Sequence, residues 1–249
     1  MIKVEIINKT AVIRLNRPDK RNSLNPELVL ALKNQLDKFE DNTSVKVIII
    51  TGEGSSFCSG ADLNYLQQLK DYSISENKTD SENIAELLLK IYRFPKPVIA
   101  AVNGPAVAGG CGLASVCDFI IADKTNARFG YPEVKIGFVP AIVSLFLIKR
   151  IGEGRAKEFL LTGDIFDADE SFKKGLVNQV SDDIISDSIQ FAAKLYNNSA
   201  LSLKLTKELI HSIGDLNLES AIRLAVNQNV ISRNSEDFDK GINNFLNMR

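Results

Sequence analysis

Histidine is almost absent from this chain: His211, in KELIHSIGDL, is the only one. Ser-His-Asp triads, Cys-His pairs and histidine-rich zinc sites would all have to use it. No partner motif lies beside it, so it reads as a surface or interface residue on a late helix. Cysteine is nearly as scarce. Cys58, Cys111 and Cys117 show no CxxC spacing, and any pairing leaves one over; they read as free thiols in a reducing compartment. No GK[ST] occurs, which excludes a Walker A phosphate loop. No apolar run reaches the roughly 18–20 residues of a membrane span. The opening MIKVEIINKTAVIRL lacks the apolar core of a signal peptide. Neither sign of charge dominates, with 30 basic against 31 acidic residues and a net charge of -1. That balance gives no global attraction to nucleic acid or an anionic membrane. The expectation is a soluble, cytoplasmic protein.

The chain has 249 residues, 45% of them hydrophobic and 24% charged, enough for one large domain or a core with an appendage. Strand and helix patterns alternate through the first half. Residues 2–7 and 11–16 read as strands, and 26–41 as a helix with Leu28, Leu32, Leu36 and Phe39 on one face. VKVIIITG (45–52) and PVIAAVNG (97–104) are β-branched runs of the kind buried on both faces of a sheet. A helix is expected within 62–71 and another over 83–94. The polar stretch between them, DYSISENKTDSEN, reads as a mobile loop or lid. CDFIIAD (117–123) reads as a further strand. From about residue 140 the pattern is almost wholly helical, so a layered α/β core is followed by a helical tail.

Both buried runs end in glycine and lead into a helix through small residues: SSFCSGADL (55–63) and NGPAVAGGCGL (103–113). The second stretch has four glycines within 104–112. Such turns present unpaired backbone N–H groups. One could bind phosphate; two that converge could form an oxyanion hole, with one amide from each. A dinucleotide fingerprint is weak here, because Ser115 stands where GxGxxG needs its third glycine. Tight strand–helix packing would also explain the glycines, and spacing alone leaves the function open.

FCSGADL, FPKPVIAAVNGPAVAGGCGLASVCDFIIAD, ARFGYPEVKIGFVP and GLVNQV, in that order, resemble the enoyl-CoA hydratase/isomerase (crotonase) superfamily. NRPDKRNSLN resembles its N-terminal turn. Within the family, the polar run after GADL and VPAIVSLFLIKRIG most resemble bacterial methylglutaconyl-CoA hydratase-like members. The resemblance implies an α/β crotonase fold: a repeated ββα spiral core over 1–190 carrying an acyl-CoA site, and a C-terminal helical region over 191–249 that builds homotrimers or hexamers. The boundary between them is soft. It implies that the amides of Ala61 and Gly109 hold the thioester oxygen, and that Glu133 is the catalytic acid/base. It puts Ala61, Asp62 and Leu63 along the adenine pocket, mainly through backbone groups, and Lys20 and Arg21 near the pantetheine and phosphate path. Phe245 matches an aromatic near a neighbouring subunit's CoA. The basic residue expected three positions later is Met248, with Arg249 one step beyond. No cofactor is implied, since coenzyme A is part of the substrate.

One departure bears on the chemistry. Two-glutamate hydratases carry a first glutamate three positions after the oxyanion glycine, and this chain has Gly112 there. One carboxylate can still add water if it serves both the attacking water and the α-carbon, so an enoyl-CoA hydratase is the first expectation. Double-bond isomerisation through the same glutamate is the alternative, followed by decarboxylation and by a CoA-ester-binding protein with little catalysis. The acyl group is not legible, although a carboxylated chain such as methylglutaconyl would want a cation in the pocket.

Overall fold

The computed structural model describes residues 1–247, apart from the side chains of Leu63 and Phe245. Met248 and Arg249, and the contact expected of the Phe245 ring, lie outside the described residues. Strands β1 (Ile2–Ile7), β2 (Thr10–Leu15), β3 (Val47–Gly52), β4 (Val98–Val102), β6 (Phe119–Asp123) and β9 (Gln179–Ser181) form one sheet in that order. Only the β1–β2 pair is antiparallel. β3 and β4 are buried along their whole length, which is what their unbroken β-branched sequences require. A second sheet holds β5 (Pro105–Val107), β7 (Arg128–Gly130) and β8 (Ile165–Asp167).

The repeat lies in the path between these sheets. β4 passes directly into β5, and β6 into β7, each unit leaving one strand in each sheet. After β3 the chain makes an isolated bridge from Cys58 to Ala106 of β5, and Leu24, after β2, bridges Ala61. A helical segment follows each crossing: α1 (Pro26–Glu40), α2 (Leu63–Gln68), α4 (Gly109–Ser115) and α5 (Ala141–Ile151). The turns between sheet and helix therefore stack on one another, and the two glycine turns meet there.

Local sequence explains the helix ends. The Asn25 side chain accepts from the Leu28 N–H at 3.0 Å, and Pro26 fills the first helical position, where no N–H is needed. α1 then buries Leu28, Val29, Leu32, Leu36 and Phe39, each worth about 1.5–3 kcal/mol when fully buried. The expected lid is a helix instead. α3 runs from Ile74 to Tyr92, and its first half is the polar stretch read as a loop. Ser73 and Glu76 form a reciprocal capping box, with the Ser73 N–H donating to Glu76 Oε2 at 2.8 Å. The far half buries Leu87, Leu88 and Ile91, anchoring a helix whose first turns face solvent.

The tail begins with α6 (Glu153–Thr162), α7 (Ala168–Lys173) and α8 (Ile184–Tyr196), followed by α9 (Ala200–Ile213), α10 (Leu218–Arg233) and α11 (Glu236–Asn247). Residue 190, the expected boundary, falls inside α8, which packs on β3, β4 and β6. α9 and α10 bury none of their residues, and Leu218, Ile222, Val226 and Val230 are more than half exposed. Lys207 fastens α9 to the core through polar contacts. Lys207 donates to Asp118 Oδ2 at 2.7 Å, and the same oxygen accepts the Val98 N–H. Among the described residues, no helix is long and apolar enough to cross a membrane.

Candidate active site

Two asparagines hold the loop after β3. Asn22, fully buried at φ 54°, donates to the Glu53 and Ser56 carbonyls and accepts the Arg17 N–H. Asn103 accepts from the Gly52 N–H and donates to the Gly54 carbonyl. The loop so fixed runs into Gly60 and Ala61, flanked by the Leu24 N–H on the Gly60 carbonyl at 2.7 Å and the Asp62 N–H on the Leu24 carbonyl at 2.9 Å. Between those two bonds the Ala61 N–H has no acceptor among the described residues.

The other turn arrives against it. The Ala108 N–H donates to the Gly130 carbonyl at 2.8 Å, and Ala108 itself is held at φ 52°, a left-handed backbone that alanine rarely adopts. Such a conformation costs about 1–3 kcal/mol and persists only where the surroundings enforce it. The next residue, Gly109, opens α4, and its N–H also lacks an acceptor among the described residues. A methyl placed on Gly109 would lie 3.8 Å from Gly60 Cα, so the two turns are in contact. Ala61 and Gly109 both line a cavity of about 520 Å³.

Glu133 lines the same cavity. It sits on a 3-10 turn, Pro132–Ile136, closed by the Phe138 N–H on its carbonyl at 3.0 Å. The residue is buried, and its Oε2 has no hydrogen-bond partner. Burial raises the carboxyl pKa above the usual range, partly offset by a bond to its own backbone. An unpartnered buried carboxylate is costly, and it points to a missing polar ligand. Beneath it, the Tyr131 hydroxyl and Ser115 Oγ are 2.9 Å apart, tying this segment to the end of α4.

Gly112 has a steric explanation. A Cβ there would stand 2.1 Å from Val143 Cγ1 and 2.8 Å from Val143 Cβ. Val143, on α5, fills the space a side chain at 112 would need. Val143 also lines the cavity, so a methyl group stands where a second acid would reach. Gly110 is likewise pressed on the main chain: a Cβ would meet the Cys58 carbonyl oxygen at 1.9 Å. It makes room for packing.

Asp62 is committed elsewhere. Its carboxylate caps α2 through the Asn64 N–H at 3.0 Å and pairs with Arg17 at 2.9 Å. Burial works to raise its pKa, but the Arg17 hydrogen bond, the Asn64 and Tyr65 amides and the Arg17 charge outweigh it and hold the carboxyl below its usual range. Lys20 and Arg21 are exposed on the turn before Leu24 and do not line the cavity. The three cysteines are free and buried, and burial pushes their thiols up to about 12, which removes them as nucleophiles. His211 stacks on Tyr92 with ring centroids 3.8 Å apart, outside this cavity. Sequence reasoning missed Tyr65 and Asp80, whose side chains are hydrogen-bonded to each other in the cavity wall.

The family description "Enoyl-CoA hydratase/isomerase" matches residues 5–249. The chain belongs to the enoyl-CoA hydratase/isomerase family. A relative from Thermus thermophilus is 41% identical over 251 residues, covering 100% of this chain and 98% of its own. The 2,3-dehydroadipyl-CoA hydratase of Escherichia coli is 34% identical and covers 97% of this chain and 93% of its own. The crystal structure of an enoyl-CoA hydratase from Polaromonas sp. JS666 superposes with a TM-score of 0.94 at 31% identity, covering 100% of this chain and 97% of that one. The fold is the crotonase fold, and hydration of enoyl-CoA thioesters is the activity these likenesses support.

Proposed function

We propose that this family member hydrates enoyl-CoA with Glu133 as its sole acid/base and the Ala61 and Gly109 N–H groups as its oxyanion hole. The supporting observation is one cavity lined by two unpaired amides and one unpaired buried carboxylate oxygen. The thioester oxygen accepts from the two amides. The Glu133 carboxylate takes a proton from water as the water oxygen bonds to C3 of the 2-enoyl chain. The double-bond electrons move to the thioester oxygen as an enolate, and Glu133 then returns the proton to C2. Each fixed donor on the developing oxyanion is worth about 2.7–4 kcal/mol. No cofactor beyond the CoA of the substrate takes part.

CoA runs from this cavity past the Ala61–Leu63 backbone, with its phosphates near the exposed basic turn at Lys20 and Arg21; Phe245 is assigned to a neighbouring subunit's CoA. The uncovered apolar residues of α10 suit self-association as a trimer, or a hexamer built of two trimers. Light scattering on a size-exclusion column tests this, with Val226→Glu expected to shift the mass downward. The buried, unpaired cysteines suit a cytoplasmic enzyme.

Val143 in place of a second acid favours one competing reading, isomerisation of 3-enoyl to 2-enoyl thioesters by the single glutamate. Incubation with 2-enoyl- and 3-enoyl-CoA in D2O, followed by NMR, separates the two. A water adduct is expected. A 2-enoyl product from 3-enoyl-CoA with no adduct overturns the hydratase reading. Glu133→Gln is expected to slow turnover by about 10²–10⁴-fold, and near wild-type turnover would remove Glu133 from the mechanism.

A further inference from the structure

The cavity that holds Glu133 has a second polar element that the hydration mechanism does not use. The Tyr65 hydroxyl, on α2, donates to Asp80 Oδ1, on α3, and both residues line the cavity wall. Neither residue is fully exposed. Burial and the Asp80 hydrogen bond raise the tyrosine's pKa, so it stays a donor at neutral pH. The remaining wall is mostly apolar, with Leu66, Leu69, Ile84, Phe138 and Ile142 among its residues.

Charge decides what such a wall accepts. Among the described residues, the carboxylates lining the cavity are Asp80 and Glu133, and the one lining cation is Lys135. Lys135 is already paired, with Nζ 3.2 Å from Asp164, and its side chain is half exposed. Two lysines on or against this part of α3 are also engaged, Lys33 by Asn83 and Glu86 and Lys78 by Glu82. An acyl chain ending in a carboxylate would bring a third negative charge into this enclosure, with no unpaired cation among the described lining residues to meet it. An apolar chain end meets aliphatic and aromatic side chains instead.

We propose that the Tyr65–Asp80 pair is a specificity element, selecting enoyl thioesters whose acyl chain ends in an uncharged, apolar group and rejecting chains that end in a carboxylate. The proposal rests on the acyl-CoA reading of the cavity. It places a methylglutaconyl chain, expected from the sequence resemblance, in the rejected class. It also separates this chain from the activity named for its Escherichia coli relative, whose dehydroadipyl substrate ends in a carboxylate.

Two saturated six-carbon thioesters, hexanoyl-CoA and adipyl-CoA, test selectivity apart from catalysis, because neither can be hydrated. Calorimetric titration of the full chain is expected to give at least tenfold tighter binding of hexanoyl-CoA, about 1.4 kcal/mol. Asp80→Asn keeps the shape and removes the charge, so the ratio should fall at least threefold. In the wild type, raising the salt to about 1 M, where the screening length is about 3 Å, should also shrink the ratio. The CoA charge is common to both ligands and cancels from the comparison. Equal binding, tighter adipyl-CoA binding, or a ratio unmoved by Asp80→Asn overturns the proposal. If that variant does not fold, the wild-type salt series decides, and a salt-independent ratio overturns it. Turnover of 2-hexenoyl-CoA and 2,3-dehydroadipyl-CoA is measured separately. A selective protein that hydrates neither overturns the hydratase reading alone; a protein that binds neither saturated thioester overturns both.

Discussion

The contact between Gly112 and Val143 sets how α4, which presents the Gly109 amide, sits against α5. Adding one methyl at 112 brings carbons to 2.1 Å and 2.8 Å, against ordinary contact at about 3.5–4.0 Å. The worse overlap is therefore about 1.4 Å. Overpacking of this kind costs about 1–3 kcal/mol, and the obstacle is a branched side chain close to its own backbone, so the upper end applies. Alanine recovers about 1 kcal/mol over glycine within a helix. Gly112→Ala should therefore lose about 2 kcal/mol. Val143→Ala deletes two methyl groups and leaves a small void, another loss of about 2 kcal/mol. In the double variant the 2.1 Å contact is gone while the 2.8 Å contact remains. Relief is thus partial, and the double variant should lose about 2 kcal/mol rather than about 4, a coupling of about 2 kcal/mol. Urea unfolding at one fixed protomer concentration measures the cycle. Additivity within about 0.5 kcal/mol would refute the packing argument. The same geometry predicts that Gly112→Glu alone does not create a working second acid.

Further outcomes follow from the charges. Burial lifts the folded-state pKa of Glu133 above its unfolded value, so the folded chain holds the proton more tightly. That favourable contribution is complete below the unfolded value of about 4.3 and is lost as pH rises through the folded value. Glu133→Gln should therefore stabilise the protein at neutral pH and lose this advantage below about pH 4, as thermal unfolding across pH would record; a destabilised variant at pH 7 refutes it. The acid limb of kcat/KM should lie above the usual carboxylate range and disappear in Glu133→Gln. Arg17→Ala leaves the largely buried Asp62 carboxylate unpaired and should cost about 3 kcal/mol. Asp62 has a lowered pKa, so its contribution is present above the unfolded value and lost as pH falls through the folded one; in Arg17→Ala that acid loss should begin at higher pH.

Much of this molecule is legible in its sequence where a signal is local. The β-branched runs of β3 and β4 and the apolar spacing of α1 suffice to define those elements. Ala61, Gly109 and Glu133 are approached by motif, and the structure lines one cavity with all three. The strands β5, β7, β8 and β9 are three residues each, too short for a period to declare itself. They exist because neighbours supply their hydrogen bonds. The start of α3 misleads through composition: most of its polar residues face water, Asp80 is turned to Tyr65 in the cavity wall, and the sign of a helix start lies in Ser73 and Glu76. Val143 and Asp80 act through residues far along the chain, so their roles are set by packing that no local pattern encodes. The Arg17–Asp62 pair, 45 residues apart in sequence, is of the same kind.

The Asp118–Lys207 contact has a bearing on the proposed self-association. Both side chains are largely shielded from solvent, and the lysine also donates to the Lys96 carbonyl at 3.2 Å. A latch of this kind aims α9, and the helices that follow it, while the chain is still alone. A second copy covering their apolar faces, as proposed above, would meet an edge already cut to shape. The ordering entropy is then met during folding rather than at encounter, and less of the energy of burial is spent on arranging the partners.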